Sequence, residues 1–313
     1  MHRLMLTFDV EDFINPNATV ALRLILEMLE KYKLKAIFFI TGLMAEKLSN
    51  FPSILELLGS HEIGFHSSGH SVHPIIAEYT DVESYNQAYS ISLERETAHI
   101  NPLTGKVEQE GGIYFLQDLF GPKRIRAYRA PGMSWTPPHL EALAKLGVDF
   151  DFSSSITTSE PARYKGVTFY PYTFTQEWEG NLYDYECLLS AILKLKVAIF
   201  DLHPTLYVNQ KMWDSIYYAG NPPRLLKVRE RPPKEARSLF SKFELLLKQV
   251  SMLRHAGLIE VDSNLTTLPK ELSVNQNQLQ KCYETSIRWP KKIFNYNPRF
   301  IRAHFNEFFQ AAM

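Results

Sequence analysis

Several features are scarce in this sequence, and each absence excludes a class of protein. Its 313 residues include only two cysteines, Cys187 and Cys282, too few for a disulfide framework and too far apart for a cysteine metal site. The 34 basic and 34 acidic residues cancel, so no overall positive field attracts nucleic acid. The longest apolar stretch, residues 36–45, is roughly half a membrane span. With no secretory pattern before Leu4, the sequence predicts a cytoplasmic protein without a transmembrane helix.

What the sequence does contain is a histidine cluster. His66, His70 and His73 occur within eight residues, directly after the apolar stretch Ile63 to Phe65. Neutral imidazole is the commonest protein ligand for zinc, and two close histidines make half of an ordinary zinc site. Gly69 and the serines disfavour a helix, so we place the pair His66 and His70 on a loop that leaves a strand. Because such a pair can also simply cap a loop or face solvent, a second chemical signal is needed.

The second signal comes from an alternation of strands and helices. Apolar runs typical of buried parallel strands alternate with stretches of helical spacing, which predicts one barrel-like α/β domain. The predicted strands are 4–8, 36–40, 62–65, 125–128, 148–152, 167–170 and 197–200, and the predicted helices are 20–32, 54–58, 84–99, 138–146, 188–195 and 239–256. Polar residues follow the strands: Asp9, Glu11, Thr41, His66, His70, Arg129, Asp151, Ser153 and His203. Since the carboxyl ends of barrel strands share one face, these side chains are expected in one pocket.

These stretches resemble the polysaccharide deacetylase family, also called the NodB-homology domain or carbohydrate esterase family 4. The similar motifs are Thr7-Phe8-Asp9, His66-Ser67-Ser68-Gly69-His70, Arg129-Ala130-Pro131-Gly132 and Leu202-His203-Pro204, and 36–42 is similar to the family's second strand. The region 149–155 lacks the tryptophan that many members carry. The resemblance implies a deformed (β/α) barrel of NodB type over residues 1–265, followed by a helical or irregular C-terminal extension over 266–313.

The resemblance also implies an activity and a role for each site residue. It suggests a hydrolase that removes an acetyl group from an N-acetylated sugar or a related small amide, with a divalent metal, zinc being our first choice, held by the two loop histidines. A metal of this kind activates water and polarises the carbonyl. Asp9 would be the general base, and His203 would protonate the leaving nitrogen. Arg129 would keep Asp9 ionised, and Asp151 would orient His203 or buttress Arg129.

The third metal ligand is where the sequence departs from the family. Many members have two adjacent aspartates, the second a metal ligand, whereas Val10 follows Asp9 here. Side chains alternate along a strand, so Asp9 and Glu11 point to the same side and Val10 points to the other. We therefore expect Glu11 to be the ligand, with Asp12 as the alternative if the chain turns after Val10.

The sequence leaves two other functions open. A related branch of the family contains a metal-independent, allantoinase-like amidohydrolase, and a non-catalytic glycan-binding protein is a third hypothesis. The C-terminal extension mixes aromatic and basic side chains after residue 287. We expect it to pack on the barrel or on a second subunit, which leaves a homo-oligomer open. The expected partner is a carbohydrate or small amide, and not nucleic acid.

Overall fold

The computed structural model describes residues 2–153, 162–170, 174–175, 194–195, 197–263, 265, 272–273, 276–303 and 308. Its strands are β1 (His2–Val10), β2 (Ile37–Ile40), β3 (Glu62–Phe65), β4 (Ala98–Ile100), β5 (Val107–Glu110), β6 (Ala127–Tyr128), β7 (Phe150–Asp151), β8 (Ala162–Tyr164), β9 (Val167–Phe169), β10 (Phe174–Thr175), β11 (Val197–Leu202), β12 (Ile259–Val261) and β13 (Leu272–Ser273). Its helices are α1 (Pro16–Lys31), α2 (Gly42–Leu48), α3 (Pro52–Leu58), α4 (Ile76–Tyr79), α5 (Tyr85–Glu96), α6 (Gly112–Phe120), α7 (Pro137–Lys145), α8 (Thr205–Val208), α9 (Pro233–His255), α10 (Gln276–Ser286), α11 (Arg288–Phe294) and α12 (Phe300–Ala303).

One large sheet organises the chain. Its strand order is β10-β11-β1-β2-β3-β6-β7-β9-β8-β13, and β12 also pairs with β1. The strands from β10 to β9 in this order all pair in parallel. Parallel neighbours need crossover connections, and the helices supply them. This curled, mostly parallel sheet confirms the predicted α/β class and the deformed (β/α) barrel.

Side-chain alternation on the strands separates two layers of the core. Leu4, Leu6 and Phe8 of β1 pack with apolar residues of α1 and α9 outside the barrel, whereas Met5 belongs to a cluster on the opposite face of the sheet. That interior cluster consists of Met5, Ile37, Phe39, Ala127, Phe150, Phe152, Tyr170 and Ile199. Asp9 has the same parity as Met5, so it faces the interior beyond this apolar layer. The polar site therefore lies at the carboxyl ends of the strands, above an apolar base.

The secondary structure departs from prediction in two stretches, and a third predicted element lies mostly outside the described residues. The predicted helix 84–99 is wrong at its end, because α5 stops at Glu96 and Ala98 to Ile100 form β4, which pairs with β5 in a separate two-stranded sheet. The C-terminal extension was predicted to be helical or irregular, yet it contains the short strand β13. This strand pairs with β8 at the edge of the main sheet and gives the backbone groups of β8 hydrogen-bond partners. The predicted helix 188–195 lies outside the described residues except for 194–195.

Described residues of the C-terminal extension contact Asp81, which lies in the loop between α4 and α5. Asp81 accepts hydrogen bonds from the hydroxyl of Tyr296 at 2.8 Å and from the backbone N–H groups of Arg299, Phe300 and Ile301 at 2.7 to 3.0 Å, so it caps the first turn of α12. Among the described residues, no helix combines the length and apolarity needed to cross a bilayer.

Candidate metal and catalytic site

Glu11, His66 and His70 converge at the carboxyl ends of β1 and β3. Glu11 Oε2 lies 3.1 Å from Nε2 of His66 and 2.7 Å from Nε2 of His70. The three side chains offer ligand atoms that all lie within 4.8 Å of one another, and all three residues are buried. Strand β2 lies between β1 and β3, and its parallel pairing with both brings their ends to one face. The predicted loop position of the two histidines is confirmed, because β3 ends at Phe65.

The far sides of both imidazoles are hydrogen-bonded in a way that orients them. Nδ1 of His66 lies 2.7 Å from the carbonyl oxygen of Arg129, which can only accept, so this nitrogen carries the proton. Nδ1 of His70 lies 2.6 Å from Oγ of Ser71. The hydroxyl of Ser71 donates to Asp214 at 2.8 Å and thereby accepts from Nδ1 of His70. Both Nε2 atoms are left facing the Glu11 carboxylate.

This donor set fits a divalent metal. Two Nε2 lone pairs that face a carboxylate oxygen repel it unless positive charge lies between them. Glu11 Oε1 is also buried and has no hydrogen-bond partner among the described residues. A cation would satisfy the two nitrogens and the carboxylate together, and two imidazoles with one carboxylate form a common zinc ligand set with an open position. Glu11, His66 and His70 are thus the residues that could hold the ion.

The electrostatics of the cluster favour positive charge at the same place. Burial alone would raise the pKa of Glu11, but when the imidazoles are protonated on Nε2 the charge of His70 and hydrogen bonds from both histidines outweigh it, and the pKa lies well below its usual value. Burial alone would lower the pKa of His66, but Asp9 and Glu11 outweigh it, and the pKa is raised. Each shift reflects attraction between opposite charges in a site that water cannot screen.

Asp9 lies between His66 and His203. Its Oδ2 is 3.6 Å from Nε2 of His66 and 3.6 Å from Nε2 of His203, while its Oδ1 accepts a hydrogen bond from Arg129 Nη1 at 2.8 Å. Burial would raise the pKa of Asp9, but the charges of Arg129, His66 and His203 outweigh it, and the pKa lies below its usual value. Asp9 is therefore ionised at neutral pH and turns one oxygen towards the site, as a general base must.

Arg129 is fully buried and joins two carboxylates that are far apart in sequence. Its Nη1 also donates to Asp201 at 2.7 Å, its Nη2 donates to Thr7 Oγ1 at 2.8 Å, and the guanidinium lies 4.4 Å from the ring centroid of Phe39. The arginine thus holds Asp9 in place.

Asp201 is a site residue that sequence reasoning missed. It forms with Asp9 and His203 a second group whose ligand atoms lie within 4.8 Å of one another. Burial, and then the charge of Asp9, raises the pKa of Asp201 to about 6 although Arg129 opposes the shift. The sequence does contain a signal for Asp201, because side chains alternate along a strand. Ile199, Asp201 and His203 are spaced by two, so all three lie on the inner face of β11 and its continuation.

Asp12, the alternative candidate for the third ligand, contacts the turn before α1 and Thr205. Its Oδ1 accepts hydrogen bonds from the backbone N–H of Ile14 at 3.2 Å and of Asn15 at 2.9 Å, and its Oδ2 accepts from Thr205 Oγ1 at 2.5 Å. These contacts brace the turn that leads into α1 and tie it to the start of α8. The metal-ligand group described above does not include Asp12.

Asp151 supports the turn that carries Arg129. It accepts hydrogen bonds from the backbone N–H of Ser153 at 2.7 Å and from the Ser153 hydroxyl at 3.0 Å, and that hydroxyl accepts from the N–H of Ala130 at 2.7 Å. Burial raises the pKa of Asp151 to about 7, against the opposing effects of Ser153 and Arg129. Of the two expected roles, these contacts favour buttressing Arg129 over orienting His203.

The first half of the chain is similar to a known protein family. Residues 2–150 match the family model described as polysaccharide deacetylase, which confirms the resemblance seen in the sequence. No curated protein matches the chain.

Similar solved structures include a 4-alpha-glucanotransferase from Thermococcus litoralis, 12% identical with a TM-score of 0.51, where the match covers 90% of this chain and 40% of that one. This likeness concerns the fold alone. A CE4 esterase from Streptococcus mutans is 15% identical with a TM-score of 0.42, covering 82% of this chain and 83% of that one. A Bacillus anthracis CE4 family pseudoenzyme mutant with restored enzymatic activity is 15% identical with a TM-score of 0.40, covering 80% of this chain. The chain spans 64% of that structure's length.

Proposed function

We propose that this protein, whose residues 2–150 belong to the polysaccharide deacetylase family, is a metal-dependent hydrolase that removes an acetyl group from an N-acetylated sugar or related small amide. The observation that carries the proposal is the convergence of Glu11, His66 and His70 beside Asp9 and His203. Zinc is the metal we propose, because it accepts two imidazoles and one carboxylate and leaves a position open.

Each residue has a defined task in this reaction. The ion held by Glu11, His66 and His70 would supply Lewis acidity towards the acyl oxygen and the attacking water. Asp9 removes the proton of that water at Oδ2, because Arg129 occupies Oδ1. His203, whose Nε2 lies 3.6 Å from the same oxygen, delivers a proton to the leaving nitrogen. The oxygen that removes a proton and the nitrogen that delivers one thus lie 3.6 Å apart.

Glu11 is our proposed third ligand, and Asp12 is not. Glu11 lies within 3.1 Å of both imidazoles, whereas the contacts of Asp12 are with the turn before α1 and with Thr205. Asp201 accepts a hydrogen bond from Arg129 and thereby helps to fix the guanidinium that holds the base. The cytoplasmic location and the homo-oligomer remain predictions from the sequence.

The test compares Glu11→Gln with Asp12→Asn as a matched control, because both remove one carboxylate charge from neighbouring buried residues. Zinc affinity is measured by competition with a chromogenic chelator, and acetate release is measured with a panel of N-acetyl sugars and small amides. We expect Glu11→Gln to weaken zinc binding more than about 100-fold, beyond the 10- to 100-fold typical of residues that only orient ligands. Asp12→Asn should keep zinc.

Retention of zinc and activity by Glu11→Gln would refute this ligand assignment. Full activity of the wild-type protein after chelation would instead support the metal-independent, allantoinase-like hypothesis. Circular dichroism of both variants checks that the fold is intact.

A further inference from the structure

A buried carboxylate lies behind His70, on the side away from Glu11. Asp214 belongs to a short helical turn, Trp213–Ile216, and is almost fully buried. Its Oδ2 accepts a hydrogen bond from Ser71 Oγ at 2.8 Å, and its Oδ1 accepts one from the hydroxyl of Tyr218 at 3.3 Å. The same Ser71 oxygen lies 2.6 Å from Nδ1 of His70, whereas Asp214 itself is 3.9 Å from that nitrogen. Asp214 therefore reaches His70 through Ser71.

With Asp214 ionised, the chain of three groups permits one arrangement of protons. A serine hydroxyl has a single proton, and an ionised carboxylate can only accept, so this proton points towards Asp214. Ser71 Oγ then has only lone pairs for His70, and Nδ1 of His70 must donate. The neutral ring consequently carries its proton on Nδ1 and presents the lone pair of Nε2 towards Glu11 Oε2, 2.7 Å away. This is the tautomer that a metal ligand needs.

The turn that carries Asp214 also supports the ring itself. The indole of Trp213 packs against the His70 imidazole, with ring centroids 5.3 Å apart. His70 has a φ of 49°, in the left-handed region that costs a residue other than glycine about 1 kcal/mol or more. External contacts are therefore needed to hold this conformation, and Trp213 and Asp214 provide an apolar and a polar one from the same turn.

We propose that Asp214 is a positioning residue of the metal site, which acts through the Ser71 hydroxyl to fix the tautomer and orientation of His70. The inference rests on the proposed function, since it assumes that His70 binds an ion. Hydrogen-bonded carboxylates behind metal-bound histidines raise metal affinity, and their loss typically weakens binding about 10- to 100-fold.

The experiment measures the zinc dissociation constant of Asp214→Asn, Ser71→Ala and the double variant, with zinc ions as the probe. We expect each single variant to bind zinc about 10- to 100-fold more weakly, and the double variant to bind no more weakly than Ser71→Ala, because the two residues act in series. Tyr218→Phe is the matched control, since it removes the other hydrogen bond of Asp214 without touching His70. It should stay within about twofold of the wild-type protein.

A second readout separates positioning from general support of the fold. Nitrogen-15 NMR of the histidine rings in the zinc-loaded protein, where Nε2 of His70 would bind the ion, should show a slowly exchanging proton on Nδ1 of His70 in the wild-type protein and faster exchange of that proton in Asp214→Asn and Ser71→Ala. Wild-type zinc affinity and an unchanged exchange rate of this proton in these variants would overturn the inference and leave the proposed function standing. Additive losses would also overturn it, because Asp214 would then not act through Ser71. Failure of the wild-type protein to bind zinc would reject both proposals.

Discussion

The buried side chain of His61 should make the stability of this protein depend on pH. The residue precedes β3 and is buried, its ring lies 5.1 Å from that of Phe38, and its Nδ1 accepts a hydrogen bond from the N–H of Ala36 at 3.3 Å. Burial, and then the nearby charges of Lys35 and Arg124, lowers the pKa of His61 to about 4 from its model-peptide value of 6.5. The native protein therefore keeps this imidazole neutral at pH values where the unfolded chain protonates it.

The sign and size of the effect follow from this shift. Between pH 6.5 and 4 the unfolded state binds a proton that the native state does not, so the free energy of unfolding falls as the pH falls through this window. Above pH 6.5 the residue contributes no pH dependence. At pH 5 the loss is about 2 kcal/mol, and over the full shift it approaches about 3 kcal/mol at 1.36 kcal/mol per pKa unit.

The test is urea unfolding of the wild-type protein and His61→Asn at pH 7.5 and pH 5. Asparagine places an oxygen near the position of Nδ1, so it can still accept from Ala36, but it does not titrate. The difference between the two free energies of unfolding at pH 7.5 reports lost packing and is subtracted. Between pH 7.5 and pH 5 the free energy of unfolding of the variant should then fall by about 2 kcal/mol less than that of the wild-type protein. Other titrating groups are common to both proteins and cancel. Parallel loss of stability in the two proteins would refute the reasoning.

Two further predictions concern His203 and Arg129. His203→Ala should lower kcat by about 10²- to 10⁴-fold, the usual value of a general acid, while zinc affinity measured by chelator competition stays unchanged; loss of zinc would make His203 a ligand instead. Arg129→Met should lower the free energy of unfolding by about 3 to 5 kcal/mol, because it leaves Asp9 and Asp201 buried without their common cation. Urea unfolding measures this loss, and a change below about 1 kcal/mol would show that the two carboxylates are compensated in another way.

Local pattern was enough to predict much of the site. The period of two along β1 placed Asp9 and Glu11 on the same side and Val10 on the other, and Val10 indeed packs in the outer core cluster. Gly69 and its neighbouring serines indicated a loop for His66 and His70, which the structure confirms. These features depend on backbone geometry over a few residues, so they are readable from short stretches of sequence.

Other parts of the site depend on contacts that no local pattern contains. Asp201 meets Arg129 across 72 positions, and Asp214 meets Ser71 across 143. Each pairing exists only because the packing of the fold brings segments that are far apart in sequence together.

The sequence by itself therefore determined the α/β alternation, the face on which each polar residue of a strand lies, and the loop that carries the histidines. Only the tertiary structure decided which further groups meet: Arg129 with Asp201, Asp12 with Thr205, and Asp151 with Ser153. The physical reason is that strand alternation is set by the geometry of a single chain segment, whereas hydrogen bonds between buried groups are set by the packing of segments far apart in sequence.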